Sequence, residues 1–149
     1  MPTVSSRRSI SAAPAEVWEI VSEPERLAGW WPGVTRVEEA SPHAWTTVLT
    51  SPRGKQVRAD YTRAEFDPPR RMSWRQELEE SPFERILRES VTTVDLEPEN
   101  ETATAVELTV RQRARGFGRF GYLQLRRAAA RQLEEALGSL AAMVERGER

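Results

Sequence analysis

The 149 residues are 30% charged and 38% hydrophobic, which suits one folded domain over residues 1–149 and excludes a disordered or membrane-spanning chain. A formal net charge of −1 points to neither a nucleic-acid binder nor a membrane-surface protein, and the absence of cysteine removes disulfides, thiolate metal sites and thiol nucleophiles together. No apolar run approaches the ~18 residues of a spanning helix, so no integral membrane association is expected, and the polar start from Met1 to Ser11 lacks a signal core, which leaves the cytoplasm as the expected location.

In chain order, Thr3 to Ser11 reads as a strand with Val4, Ser6, Arg8 and Ile10 on one face. Ala13-Pro14 opens a short helix, because proline's missing N–H is not needed at the first helical position. Val17, Trp18, Ile20 and Val21 form its apolar side. A second short helix starts at Pro24 and stops near Gly29, and Trp30-Trp31-Pro32-Gly33 reads as a turn. Strands are then expected at Val34–Ala40, His43–Ser51, Gln56–Phe66, Arg71–Leu78, Glu84–Glu97 and Thr102–Arg113. They are separated by turn-forming Ser41-Pro42, Pro52-Arg53-Gly54-Lys55, Asp67-Pro68-Pro69, the polar break Glu79–Pro82 and Pro98-Glu99-Asn100-Glu101. Leu87 and Val91 fit one alternation phase and Val94 and Leu96 the other, so a bulge is expected in that strand.

From Phe120 to Arg146 the apolar residues Tyr122, Leu125, Ala129, Leu133, Ala136, Leu137, Leu140 and Val144 recur at steps of three and four, an amphipathic helix of roughly 40 Å. Its stripe needs a cover, and nearly everything before it is strand. The expected architecture is α+β: a curved, seven-stranded antiparallel sheet around a long C-terminal helix, with two short helices between strands 1 and 2. A helix gripped by a curved sheet leaves a cavity between them, and that cavity is the expected site.

The opening Ser11-Ala12-Ala13-Pro14-Ala15-Glu16-Val17-Trp18, followed by Trp30-Trp31-Pro32-Gly33-Val34, resembles the SRPBCC superfamily of START-related helix-grip proteins, whose bacterial members include polyketide cyclase/dehydrase and lipid-transport proteins. The glycine-rich entry to the last helix adds to the likeness, and the element order extends it over the whole chain. The resemblance implies a hydrophobic cavity between sheet and terminal helix. It implies a small hydrophobic ligand, lipid, isoprenoid or polyketide-like, and no cofactor. It also leaves open a cyclase/aromatase-like enzyme and a co-chaperone-like interaction module.

Gly116-Phe117-Gly118-Arg119-Phe120-Gly121 spells a dinucleotide fingerprint, but no strand follows its helix, so the βαβ unit that the motif serves cannot form. Phe117 is instead a candidate gate to the cavity. His43 is the only histidine, which excludes two-histidine iron and zinc sites, and no metal is expected. Of the five tryptophans, Trp18 belongs to the first helix's apolar side, Trp30 or Trp31 is expected to border the cavity, and Trp45 and Trp74 are expected to face into it. Polar residues on apolar strand faces complete the candidate ligand-binding set: Tyr61 beside Val57 and Ala59, Gln76 beside Met72 and Trp74, Glu89 beside Leu87 and Val91, and Gln112 beyond Val110. In the enzymatic alternative, Glu89 or Tyr61 would move the proton. Arg111 to Leu133 holds seven arginines and no acid, either a solvated edge or an anion-attracting rim. The sequence leaves the oligomeric state open, a homodimer included.

Overall fold

The computed structural model describes residues 3–116 and 119–146, apart from the side chains of Arg119 and Phe120. Seven antiparallel strands form one sheet: β1 (Thr3–Ile10), β2 (Val34–Glu38), β3 (Ala44–Thr50), β4 (Gln56–Asp67), β5 (Arg71–Glu77), β6 (Leu87–Asn100) and β7 (Ala103–Ala114). Their order is β1-β7-β6-β5-β4-β3-β2, a meander in which the first strand closes onto the last. Helix α1 (Pro14–Val21), a 3₁₀ turn at Pro24–Arg26 and the short helix α2 (Leu27–Trp30) lie between β1 and β2, and α3 runs from Arg119 to Glu145. The expected helix-grip architecture is therefore the observed one.

The boundaries differ where local geometry overrides pattern. Pro24 starts a 3₁₀ turn, and Trp30 is the last residue of α2 instead of the first of a turn. Pro82–Arg85 is another 3₁₀ turn, capped at Ser81, whose hydroxyl accepts from the Phe83 amide at 3.2 Å, so β6 begins three residues later than the alternation suggests. At its other end β6 continues through Pro98 to Asn100, with a bulge between them that accommodates the missing proline N–H.

Alternation sets the faces. Val4, Trp45, Met72, Trp74, Val94, Leu96, Val106, Leu108 and Val110 join one buried core with Leu133, Ala136, Leu137, Leu140 and Val144 of α3. The opposite, outer face carries charged side chains, including the Arg36–Glu38–Arg58 cluster at 2.8 and 2.6 Å. Two close fits fasten the helices. The buried Thr104 hydroxyl donates to the Ala12 carbonyl at 2.7 Å, fixing the turn into α1. A Cβ on Gly29 would sit 2.1 Å from Met143 Cε, so glycine lets α2 lie directly against α3.

The helix stripe divides in two. From Ala129 onward its residues are buried, whereas Tyr122 is exposed and Leu125 only half-buried. The change falls at the Ala128-Ala129-Ala130 run: before it Leu125 lines an open cleft and Tyr122 is exposed, and from Ala129 on the stripe packs into the core.

Candidate functional site: an aromatic row beside an open cleft

The inner ends of β3, β4 and β5 meet α2 at a continuous row of rings. Trp30 meets Trp31 at 5.4 Å between centroids, Trp31 meets Trp74 at 5.9 Å, Trp74 meets Trp45 at 6.0 Å, and Trp45 meets Tyr61 at 6.2 Å. The first three contacts are edge-to-face, the arrangement that the ring quadrupole favours, and the last is stacked. Strand register explains the row: Trp45 lies opposite Tyr61, and Tyr61 lies opposite Gln76, so all three share the inner face. The alternation of β5 adds Trp74 to it.

Trp30, Trp45 and Trp74 are buried, so the centre of the grip is filled with indole. The hollow lies to one side. An open cleft of about 810 Å³ runs between the first half of α3 (Leu125, Ala128, Ala129, Gln132), the Pro32-Gly33 turn that follows the tryptophan pair, the β3–β4 hairpin and Gln112. Gly33 takes φ +82°, which a side chain would strain, and lets the chain reverse at the cleft wall. Such a volume is ordinary for a small-molecule site. Another depression, of about 820 Å³, has a rim crossed by the Arg7–Glu97 and Arg71–Asp95 pairs, which do not suit an apolar ligand.

The candidate residues divide as follows. Trp30, Trp45, Tyr61 and Trp74 come together in the row, Gln76 lies beside it on the inner face, and Gln112 lines the cleft. Glu89 does not join them. The bulge between Leu87 and Glu89 turns Leu87 inward but leaves Glu89, Val91, Thr93 and Asp95 on the outer face, where Glu89 Oε1 lies 3.4 Å from Arg111 Nε. The expected bulge is present, but Val91 belongs to the outer phase, and Glu89 with it. Phe117 lies outside the described residues. His43 is exposed in the turn before β3. Trp31, the alternative to Trp30 at the cavity border, joins the row, and Leu125, Ala128, Ala129 and Gln132, which the candidate set lacks, line the cleft.

The chemistry of the row is that of hydrogen-bond donation. Trp30 Nε1 and Trp45 Nε1 are buried donors with no acceptor among the described residues. Burial pushes the Tyr61 hydroxyl up to about 12, with the Thr47 hydroxyl pulling weakly the other way, so it stays protonated. No Asp or Glu lies on the inner face of the strands among the described residues; the cleft's carboxylate is Glu135, exposed on α3. Arg63, beside Trp74 in the ladder, donates to the Ser22 carbonyl at 3.3 Å and stacks on Phe66 at 3.9 Å, and Phe66 packs on Trp18. This group closes the end of the grip under α1. Among the described residues no group of three His, Cys, Asp or Glu side chains could hold a metal ion, and no helix is long and apolar enough to cross a membrane.

A model of the family described as polyketide cyclase/dehydrase and lipid transport matches residues 1–145. The chain belongs to that family. No curated protein matches it. Among solved structures, this member of the polyketide cyclase/dehydrase and lipid transport family shares its fold with the di-domain ARO/CYC BexL from the BE-7585A biosynthetic pathway, at 24% identity and TM-score 0.81 over 97% of this chain and 47% of that one. It is also similar to the Zhui aromatase/cyclase from Streptomyces sp. R1128, at 21% identity and TM-score 0.73 over 99% and 96% of the two chains. A START superfamily protein from Mycobacterium smegmatis matches at 12% identity and TM-score 0.78, covering 97% of each chain. At these identities the likeness is one of fold.

Proposed function

We propose that the protein reversibly binds a small, mostly apolar molecule that carries hydrogen-bond acceptors, seated against the aromatic row and extending into the cleft. The observation that supports this reading is the pair of buried indole N–H groups on Trp30 and Trp45, without acceptors among the described residues, in a grip whose open cleft is walled by the Pro32-Gly33 turn that follows the tryptophan pair. A buried donor without a partner costs about 1–3 kcal/mol, so folds rarely keep one unless water or a ligand satisfies it. Ring faces supply apolar contact at ~25 cal/mol per Å² buried, and the donors orient a carbonyl or ether oxygen. The family description, which spans cyclases and lipid transport, accommodates this reading.

The test is native mass spectrometry of the purified protein, with tryptophan emission followed during titration with a naphthyl ketone. A co-purifying small molecule that organic extraction removes, and emission that saturates with the ketone, are expected. Trp74→Ala should lose most of both signals. No adduct and no saturable change in emission would overturn the proposal.

A cyclase reading is favoured by one feature, the Tyr61 hydroxyl at the end of the row, which burial keeps protonated at neutral pH. In it the row confines a poly-β-ketone and Tyr61 donates to a carbonyl oxygen as it gains charge. The likeness to BexL and Zhui adds weight. Glu89 takes no part, since it faces the other side of the sheet. Cyclised product formed faster with protein than without, and slowed by Tyr61→Phe, would favour this reading over simple carriage.

A further inference from the structure

The net charge of −1 conceals an uneven surface. The arginine-rich, acid-free stretch from Arg111 to Leu133 occupies the end of β7 and the first half of α3. Four large apolar side chains are exposed among the described residues, and three of them, Ile86 (37%), Tyr122 (37%) and Leu123 (43%), belong to this end of the molecule. The connections place them. The Arg115 amide donates to the Ile86 carbonyl at 2.9 Å, Leu87 lies opposite Ala114, and α3 starts at Arg119. On α3, Leu123, Arg126 and Arg127 are three and four residues apart, so they share one face, and all three are exposed.

The first half of α3 itself carries no acid. The first one along α3 is Glu134, about 10 Å beyond Arg127 at 1.5 Å per residue. That is roughly one screening length at physiological salt, so it cancels little of the local field. Acids do border Ile86: Glu84, in the 3₁₀ turn, accepts from the Glu80 amide at 2.7 Å, and Glu89 of β6 faces Arg111, so the uncompensated charge is that of the first half of α3.

We propose that this face of α3, Tyr122 and Leu123 flanked by Arg126 and Arg127, docks on an anionic lipid bilayer. Guanidinium groups match phosphate oxygens bidentately, and single leucine and tyrosine side chains suit insertion just beneath the phosphates. Protruding apolar side chains beside arginines that form no ion pair among the described residues favour a lipid surface over an acidic protein, for which charge alone would serve. The inference does not depend on the cleft holding a ligand.

The test is sedimentation of the full chain with vesicles of phosphatidylcholine, alone or mixed with phosphatidylglycerol, at low and high salt. The protein should pellet with the anionic vesicles only and be released by salt. Arg126→Gln with Arg127→Gln should lower the partition coefficient about 25-fold, roughly fivefold per arginine. Leu123→Ser should weaken binding with an unchanged salt dependence, and Arg7→Gln, on the outer sheet face, should change nothing. Circular dichroism of each variant should match the parent. Equal pelleting with both vesicle types, or parent-like partitioning of the double arginine variant, would overturn the proposal. So would capture by polyglutamate with no capture by anionic vesicles, which would reassign the face to an acidic protein.

Discussion

Trp45→Phe separates a donor held for a ligand from one already satisfied. Trp45 is 3% exposed, flanked by Trp74 and Tyr61, and its Nε1 has no acceptor among the described residues. Phenylalanine keeps the ring contacts and the inner-face position but removes the N–H. It also removes about 40 Å³ of side chain, and at ~24 cal/mol per Å³ of cavity that is worth about 1 kcal/mol of destabilisation. Deleting an unsatisfied buried donor returns about 1–3 kcal/mol. The two effects oppose each other, so extracted, ligand-free Trp45→Phe should be as stable as the parent or up to about 2 kcal/mol more stable. The measurement is a urea unfolding midpoint at constant slope, run on extracted protein and again with the naphthyl ketone. With ketone the order should reverse, because the parent donates from both Trp30 and Trp45, the variant from Trp30 only, and the parent gains the larger stabilisation from binding. A loss of about 2 kcal/mol or more in the ligand-free variant would mean that the indole N–H is already paired, and would refute the reasoning.

The two halves of α3 should respond differently to truncation. Leu133→Ala, at a fully buried position, should cost about 2–5 kcal/mol, while Leu123→Ala should stay within about 0.5 kcal/mol, both read from urea midpoints. Thr104→Val strands the Ala12 carbonyl and should cost about 1–3 kcal/mol in the same assay. Tyr61 ionises near its ordinary value of about 10 when unfolded, but only at about 12 when folded. The unfolded chain therefore loses that proton first, and stability should fall as pH rises through this window. Ultraviolet titration of the native protein should show a late phenolate step that Tyr61→Phe removes.

The fold was readable because alternation and helical spacing are strong signals in this chain. Val106, Leu108 and Val110 face inward as their spacing requires, and α3 begins within one residue of the expected start. The site was only partly readable. Trp45, Tyr61 and Trp74 follow from period-two counting along regular strands. Glu89 was misplaced because one inserted residue reverses every later side chain, and a sequence shows that a bulge is needed without showing which residues precede it. Tyr122 was misplaced for another reason. Periodicity gives the direction in which a helix face points, not whether anything covers it, and Tyr122, ahead of the Ala128–Ala130 run, is left exposed.

The β5–β6 boundary has its own consequence. These strands are laced only from Arg71↔Asp95 to Arg75↔Val91, although both continue past that point, Gln76 and Glu77 on one side and Glu89 and Ser90 on the other. Each continues to pair with its other neighbour, β4 or β7. The sheet is thus unzipped along one seam, close to Gln76. Amide protons facing that seam should exchange with solvent through small local openings, well before the well-laced β6–β7 pair releases its own, and the wall of the grip nearest Gln76 is where the barrel-like curve can widen without unfolding.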